Sequence, residues 1–157
     1  MGMSILHLID SLSLAGAERH LVQVALYLAA RGYKKTVGVL SRINDDFLRR
    51  RLDETGIPVV TLDRRGGLGR VPVYARAARD LCHRLRPHLV TTQCSFADIV
   101  GRWAAGLSGV PTVTTWQNVP YDRSHWGVLP LRSRLALTLQ ERLEVWSIHE
   151  RARFIAV

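Results

Sequence analysis

Short apolar runs alternate with longer amphipathic segments along most of this chain. The apolar runs predict strands at Ile5–Ile9, Thr36–Leu40, Pro58–Leu62, His88–Thr92, Thr112–Thr115 and Arg153–Val157. The amphipathic segments predict helices at about Ala17–Arg31, Asp45–Glu54, Pro72–Arg84, Ser95–Leu107 and Pro130–Glu150. Strands that alternate with helices favour a mainly parallel sheet covered on both faces. The pattern therefore predicts an α/β fold, a Rossmann-like three-layer sandwich.

Apolar stripes at helical spacing indicate which face of each helix enters the core. The stripes are Leu21, Val24, Ala25 and Leu28 in the first helix, Val73, Ala77, Leu81 and Leu85 in the third, and Leu131, Leu135, Leu139 and Leu143 in the fifth. Gly32 ends the first helix, and Pro87 follows the third.

The junction between the first strand and the first helix is the most informative stretch of the chain. The apolar run stops at Asp10, a short polar loop follows, and a helix begins just after Gly16. Free N–H groups and the helix dipole at such a junction favour an anion, and a glycine lets the ligand approach the backbone. The loop lacks the three glycines of a dinucleotide fingerprint and the Walker pattern, so an ordinary turn stays open as the alternative.

Length and composition suit one domain with a substantial core. The 157 residues are 47% hydrophobic, and no apolar run is long enough to cross a bilayer. The two cysteines, Cys82 and Cys94, are predicted to be core or near-core thiols and favour a reducing compartment. Together with the lack of a signal peptide, these features predict a cytoplasmic protein.

A net charge of +9 adds a possible attraction to anionic surfaces. Arg49, Arg50 and Arg51 are consecutive, and Arg76, Arg79, His83 and Arg86 recur at helical spacing. With the cluster of Trp116, Tyr121, His125 and Trp126, they suggest a peripheral membrane role. A solvated basic face is the alternative for the charges, and stacking on a sugar or docking against a second domain is the alternative for the aromatic cluster. No nucleic-acid-binding motif accompanies the charge, so nucleic acid is not an expected partner.

Several ordered segments carry a resemblance to a known family. They read LHLIDSLSLAGAERHLVQVALYLAARGYKKTVGVL, LDETGIPVVTLD, PHLVTTQCSFADIVGRWAAGLSGVPTVTTWQN and RARFIAV. The chain resembles the N-terminal half of a GT-B glycosyltransferase, of the retaining group called glycosyltransferase family four. The resemblance covers nearly the whole chain.

The resemblance implies a function and a domain organisation. Such enzymes move a sugar from a nucleotide-sugar to a glycan or lipid acceptor, across a cleft between two Rossmann-like domains. We therefore expect residues 1–157 to be the acceptor-side domain, a fragment whose C-terminal nucleotide-sugar domain is missing and which is inactive alone. The family implies no metal and no cofactor beyond the nucleotide-sugar co-substrate.

The resemblance also implies site residues. In the glycine loop and the helix start, Ala15, Gly16 and Arg19 are expected to contact the donor phosphates. After the fourth and fifth strands, Gln93, Gln117 and Asn118 are expected to contact the acceptor.

The chain lacks histidine at positions where the family often has one. Gln117 stands at one such position, and Thr91 and Gln93 stand in place of a His-x-His pattern. Glutamine can bind a hydroxyl group but cannot act as a general base. The catalytic residues are therefore left unassigned, and binding roles stay open.

Two other functions are compatible with the pattern. One is a non-catalytic module that binds an acceptor, a membrane surface or a partner protein. The other is a receiver-like signalling domain, because Asp10 and Asp63 end the first and third strands. The lack of a lysine after the fifth strand argues against a receiver.

Overall fold

A computed structural model describes residues 2–41, 43, 46–62, 71–116 and 129–156. Its strands are β1 (Ser4–Ile9), β2 (Lys34–Val39), β3 (Val59–Thr61), β4 (Leu89–Gln93), β5 (Thr112–Trp116) and β6 (Ala152–Ala156). Its helices are α1 (Gly16–Ala30), α2 (Asp46–Glu54), α3 (Val71–Leu85), α4 (Ser95–Leu107) and α5 (Leu131–Trp146). The predicted order of strands and helices is confirmed.

The strands of the described residues form one all-parallel sheet in the order β3-β2-β1-β4-β5-β6. The chain first winds outward through β2 and β3, then crosses back to β4 and winds the other way. Because such crossovers are right-handed, α1 and α2 lie on one face of the sheet and α4 on the other. The predicted Rossmann-like α/β fold is confirmed.

Two apolar clusters fill the space between the sheet and its helices. On the α1–α2 face, Ile9, Val37 and Val39 of the strands pack with Leu21 and Leu52 of the helices. On the other face, Leu6, Leu8 and Val90 pack with residues of α3 and α4, such as Leu81 and Ile99. Alternate residues of each strand thus enter opposite clusters, as a sheet buried on both faces requires.

The predicted stripe of α3 is wrong at both ends. Val73 and Leu85 are 43% and 37% exposed, whereas Tyr74 and Ala78 are buried. Residues four positions apart drift about 40° around a helix at each step, so a long i, i+4 stripe leaves the buried face. In α5, the first three leucines of the stripe are exposed, and only Leu143 packs against the core.

Candidate functional site

The candidate site lies at the carboxyl edge of the sheet, between β1 and β4. At this point the strand order reverses, and the chain leaves β1 towards one face and β4 towards the other. In open α/β sheets, loops that depart towards opposite faces in this way diverge and leave a crevice, which is where ligands bind. Residues 10–15 bound the crevice on one side, and Gln93 and Cys94 bound it on the other.

The loop after β1 is anchored to the loop after β2. Leu12 is fully buried and forms a parallel bridge with Ile43. The carbonyl oxygen of Asp10 accepts hydrogen bonds from the backbone N–H and the hydroxyl group of Ser41, at 2.8 and 2.6 Å. These contacts fix the start of the loop against the sheet.

Glu18 fixes the rest of the same loop from the first turn of α1. Its carboxylate Oε1 accepts hydrogen bonds from the hydroxyl groups of Ser13 at 2.8 Å and Ser11 at 3.2 Å. Only 6% of Glu18 is exposed. Glu18 therefore organises the loop from within, besides complementing the helix dipole.

The N-terminus of α1 is open to a ligand. Ala15 occupies the N-cap position and has no side-chain oxygen to accept from the N–H groups of the first turn. Gly16, Ala15 and Arg19 are all exposed. Apart from Gly16 itself, its two chain neighbours and the nearby backbone of α1, no atom of the described chain lies within 4 Å of the position that a Cβ on Gly16 would take. The arrangement suits an anion, with the guanidinium of Arg19 one turn away.

The N-terminus of α4, in contrast, already has an acceptor. Asp10 Oδ1 accepts a hydrogen bond from the backbone N–H of Ala97 at 2.5 Å. Burial raises the pKa of Asp10 to about 7, although hydrogen bonds from Ala97 and Phe96 favour the carboxylate. This structural role leaves Asp10 poorly suited to accept a phosphoryl group, as a receiver domain would require. Asp63 lies outside the described residues.

Gln93 ends β4 and is 5% exposed. Its Nε2 lies 3.2 Å from Nδ1 of His20 on α1, and its Oε1 has no hydrogen-bond partner among the described residues. The sequence interpretation missed His20. The available signal was its spacing, since His20 lies one helical turn after Gly16 and on the same side of α1.

The other two predicted acceptor residues, Gln117 and Asn118, lie outside the described residues. The strand that precedes them, β5, pairs with β4 so that Thr115 lies beside Gln93. Its last residue, Trp116, is 40% exposed and packs on Phe154 with ring centroids 5.1 Å apart. Thus β5 ends at the same edge of the sheet as β1 and β4.

The two cysteines are not suited to nucleophilic chemistry. Burial raises the pKa of Cys82 to about 11 and that of Cys94 to about 12, so both thiols are protonated at neutral pH. Cys82 is buried and Cys94 is half-buried, as predicted.

Solved structures with the same fold include proteins that were solved with UDP or a UDP-sugar. Anabaena HepE in complex with UDP and glucose is 20% identical, with a TM-score of 0.60 over 98% of this chain. MurG from Acinetobacter baumannii is 16% identical, with a TM-score of 0.60 over 90% of this chain. UDP-GlcNAc 2-epimerase from Neisseria meningitidis, bound to UDP-GlcNAc, is 13% identical, with a TM-score of 0.60 over 97%. Identities this low establish the fold alone.

The sequence comparison decides the family. The model of Glycosyltransferase Family 4 matches residues 14–157. The chain belongs to Glycosyltransferase Family 4. No curated protein sequence matches it. The chain spans 44% of HepE, 39% of MurG and 45% of the epimerase, so it corresponds to one domain of these larger proteins.

Proposed function

We propose that this family-four chain contributes acceptor binding and donor-phosphate contacts to an enzyme that transfers a sugar from a nucleotide-sugar to a glycan or lipid. The observation that carries the proposal is the open N-terminus of α1 in the crevice between β1 and β4. There the first-turn N–H groups have no side-chain cap from Ala15, and Gly16 leaves room for a diphosphate.

We assign the donor diphosphate to Ala15, Gly16 and Arg19. Backbone N–H groups supply directed donors, and the exposed guanidinium of Arg19 supplies a positive charge near the leaving group. The acceptor is assigned to Gln93 and to the segment with Gln117 and Asn118. These amides bind and orient hydroxyl groups, while the proton transfers are left to groups that we do not assign. No resident metal or cofactor enters this proposal.

A titration with UDP tests the assignment. In a ¹⁵N–¹H NMR titration of the chain, we expect UDP to shift the backbone signals of Ala15, Gly16 and Arg19. Gly16→Ala and Arg19→Ala should each weaken binding, whereas Arg31→Ala, an exposed arginine at the other end of α1, should not. Shifts confined to other parts of the chain, or equal affinity in all variants, would refute the phosphate site.

The proposal also includes a donor-binding half in addition to these 157 residues. The support is that the chain spans 44% of HepE, which was solved with UDP and glucose. We therefore expect the chain by itself to bind UDP without transferring sugar from any nucleotide-sugar. Turnover by residues 1–157 alone would contradict this division of labour. A complete protein that binds but never transfers would support a non-catalytic module instead.

A membrane surface is a second candidate partner, because α5 exposes an unusual face. Leu131, Leu135, Leu139 and Trp146 are 70%, 62%, 50% and 74% exposed, and they share one side of the helix. The same side carries Arg132 and Arg142 and, in this fully described helix, no acidic residue. Apolar side chains interspersed with arginines complement an anionic lipid surface. No helix in the described part of the chain combines the length and apolarity that a bilayer crossing requires.

Vesicle co-sedimentation tests this second candidate. We expect the chain to bind vesicles containing phosphatidylglycerol, less at high salt, and hardly at all to pure phosphatidylcholine. Leu135→Ser should reduce the bound fraction, whereas Leu107→Ser, at an equally exposed leucine of α4, should not. Equal binding to neutral vesicles, or a dimer that buries α5 in analytical ultracentrifugation, would overturn the membrane assignment.

A further inference from the structure

The amide of Gln93 is buried, and among the described residues only one of its two polar ends has a hydrogen-bond partner. Its NH₂ end pairs with His20 Nδ1 at 3.2 Å, while Oε1 has no hydrogen-bond partner among the described residues. Nearly all buried polar atoms are paired, because a lost hydrogen bond to water otherwise goes uncompensated. A buried, unpaired carbonyl oxygen beside a ligand crevice therefore points to a ligand that donates to it.

His20 decides which end of the amide is left free. For Gln93 Nε2–H to donate, Nδ1 of His20 must carry a lone pair, so the ring proton sits on Nε2 of the imidazole. The opposite tautomer, with the proton on Nδ1, would pair instead with a reversed amide, so the tautomer of His20 and the orientation of the Gln93 amide are linked. In the structure, Nε2 of Gln93 faces His20 and the carbonyl oxygen is turned away from it.

The chemistry of Oε1 limits what it can bind. A carbonyl oxygen only accepts hydrogen bonds, so it pairs with a hydroxyl or an amine and repels a phosphate oxygen. Gln93 ends β4 at the crevice where α1 also begins, and His20 lies one turn after Gly16. A phosphate at the start of α1 and a hydroxyl at Gln93 would thus occupy neighbouring parts of one crevice.

We propose that His20 is a positioning residue, which sets the Gln93 amide so that Oε1 accepts a hydrogen bond from a hydroxyl group of a sugar. The inference rests on the proposed function, because it specifies how the acceptor side of that site recognises its ligand. It assigns His20 no contact with the reacting atoms.

The tautomer of His20 provides the first test. Long-range ¹⁵N NMR of the chain at pH 8 should show Nδ1 of His20 unprotonated and Nε2 protonated. A signal for the opposite tautomer would overturn the proposal, since Nδ1 could not then accept from Gln93.

Variants of His20 provide the second test, with methyl β-D-glucoside as the hydroxyl-bearing probe. We expect the probe to shift the side-chain NH₂ signals of Gln93, and its fully O-methylated counterpart, which has no hydroxyl donor, to leave them unchanged. His20→Leu should weaken probe binding about tenfold, as the loss of one oriented hydrogen bond would. His20→Asn, whose side-chain oxygen can accept from Gln93, should restore much of the affinity. His83→Leu, at an exposed histidine of α3, is the matched control.

The outcomes separate this inference from the proposed function. Circular dichroism melts first establish that each variant is folded. If UDP still shifts Gly16 while the probe fails to bind, or binds His20→Leu as well as wild type, the role of His20 is wrong and the donor site stands. If UDP fails to shift Gly16 while probe binding depends on His20, the donor assignment is wrong and the role of His20 stands.

Discussion

Two helix contacts on opposite faces of the sheet depend on different forces. On one face, α1 and α2 pack through apolar side chains, among them Leu21, Leu48 and Leu52, against Ile9 and Val37. On the other face, α3 and α4 have an apolar cluster of their own, whereas α5 joins α4 through buried polar groups as well as through Leu143 and the ring contact of Trp146 with Trp103. The contrast shows how one fold uses non-directional burial in one place and directed hydrogen bonds in another.

Arg102 of α4 is the centre of the polar contact and is fully buried. Its guanidinium donates to the hydroxyl groups of Ser147 at 2.9 Å and Thr114 at 3.2 Å, and to the carbonyl oxygen of Glu144 at 3.3 Å. The Glu144 carboxylate lies 3.9 Å away. Such a network stabilises only the geometry that satisfies all of its members, so it fixes how α5 sits on α4.

Removing Arg102 should give the largest loss of stability. Arg102→Ala removes the cation that lies 3.9 Å from the Glu144 carboxylate and the donor to several buried acceptors, which should cost about 3–5 kcal/mol of unfolding free energy. The loss should be greater at pH 7.5 than at pH 4.5, because Arg102 favours the charged form of Asp98, whose buried carboxyl has its pKa raised to about 7. Urea unfolding measures both values. Arg142→Ala, at an exposed arginine of α5, should change little, and an equal loss there would contradict the role of the buried network.

On the α1–α2 face, truncating a buried side chain should destabilise the protein by leaving a cavity, and not by leaving a buried charge. Leu52→Ala removes a fully buried side chain of α2 and should cost about 3 kcal/mol. Urea unfolding should give nearly the same difference from wild type at pH 4.5 and pH 7.5. A pH-dependent difference would show that the two faces are less distinct than the contacts indicate.

A glycine in α4 tests how closely the helix approaches the sheet. A Cβ on residue 101 would collide with Cγ2 of Thr92 and lie 3.1 Å from Cδ1 of Leu8. Thr92 is held by its hydrogen bond to Thr114 at 2.8 Å. Gly101→Ala should therefore cost about 2 kcal/mol in thermal or urea unfolding. Gly106→Ala, on the exposed part of the same helix, should cost less, and a reversed ranking would contradict the close approach.

The polar face should also show a pH dependence of its stability. Burial raises the pKa of Asp98 to about 7 from 3.8, although Thr92 and Arg102 favour its charged form. The folded state thus keeps a proton that the unfolded state loses, and this contribution to stability is present below pH 4 and lost as pH rises through 7. Asp98→Asn removes the titration.

Urea unfolding of wild type and Asp98→Asn between pH 4 and pH 8 checks this effect. Relative to the variant, wild type should lose at least about 1.4 kcal/mol over this range, the equivalent of one pKa unit. Parallel stability curves would show that Asp98 titrates normally, and a wild type that gains stability with pH would show that its pKa is lowered.

Much of the fold was predictable because its signals are local. The predicted bounds of α4 match the structure, and every predicted strand end lies within two residues of the observed one. Part of the candidate site was predictable as well, since the turn at Gly16 and the carboxyl end of β4 could be located from the order of the elements. The contact between His20 and Gln93 could not be predicted, because 73 positions separate the two residues and no local pattern links them.

The sequence by itself determined the alternation of strands and helices, the parallel sheet and the junction at Gly16, since short-range periodicity and turn residues encode them. Only the tertiary structure decided that Arg102 is buried and that Leu131, Leu135 and Leu139 of α5 face outward. It also decided that, among the described residues, the carbonyl oxygen of the Gln93 amide has no hydrogen-bond partner. Each of these depends on which distant groups meet once the elements pack. Polar satisfaction and burial are properties of that packing and not of any segment alone.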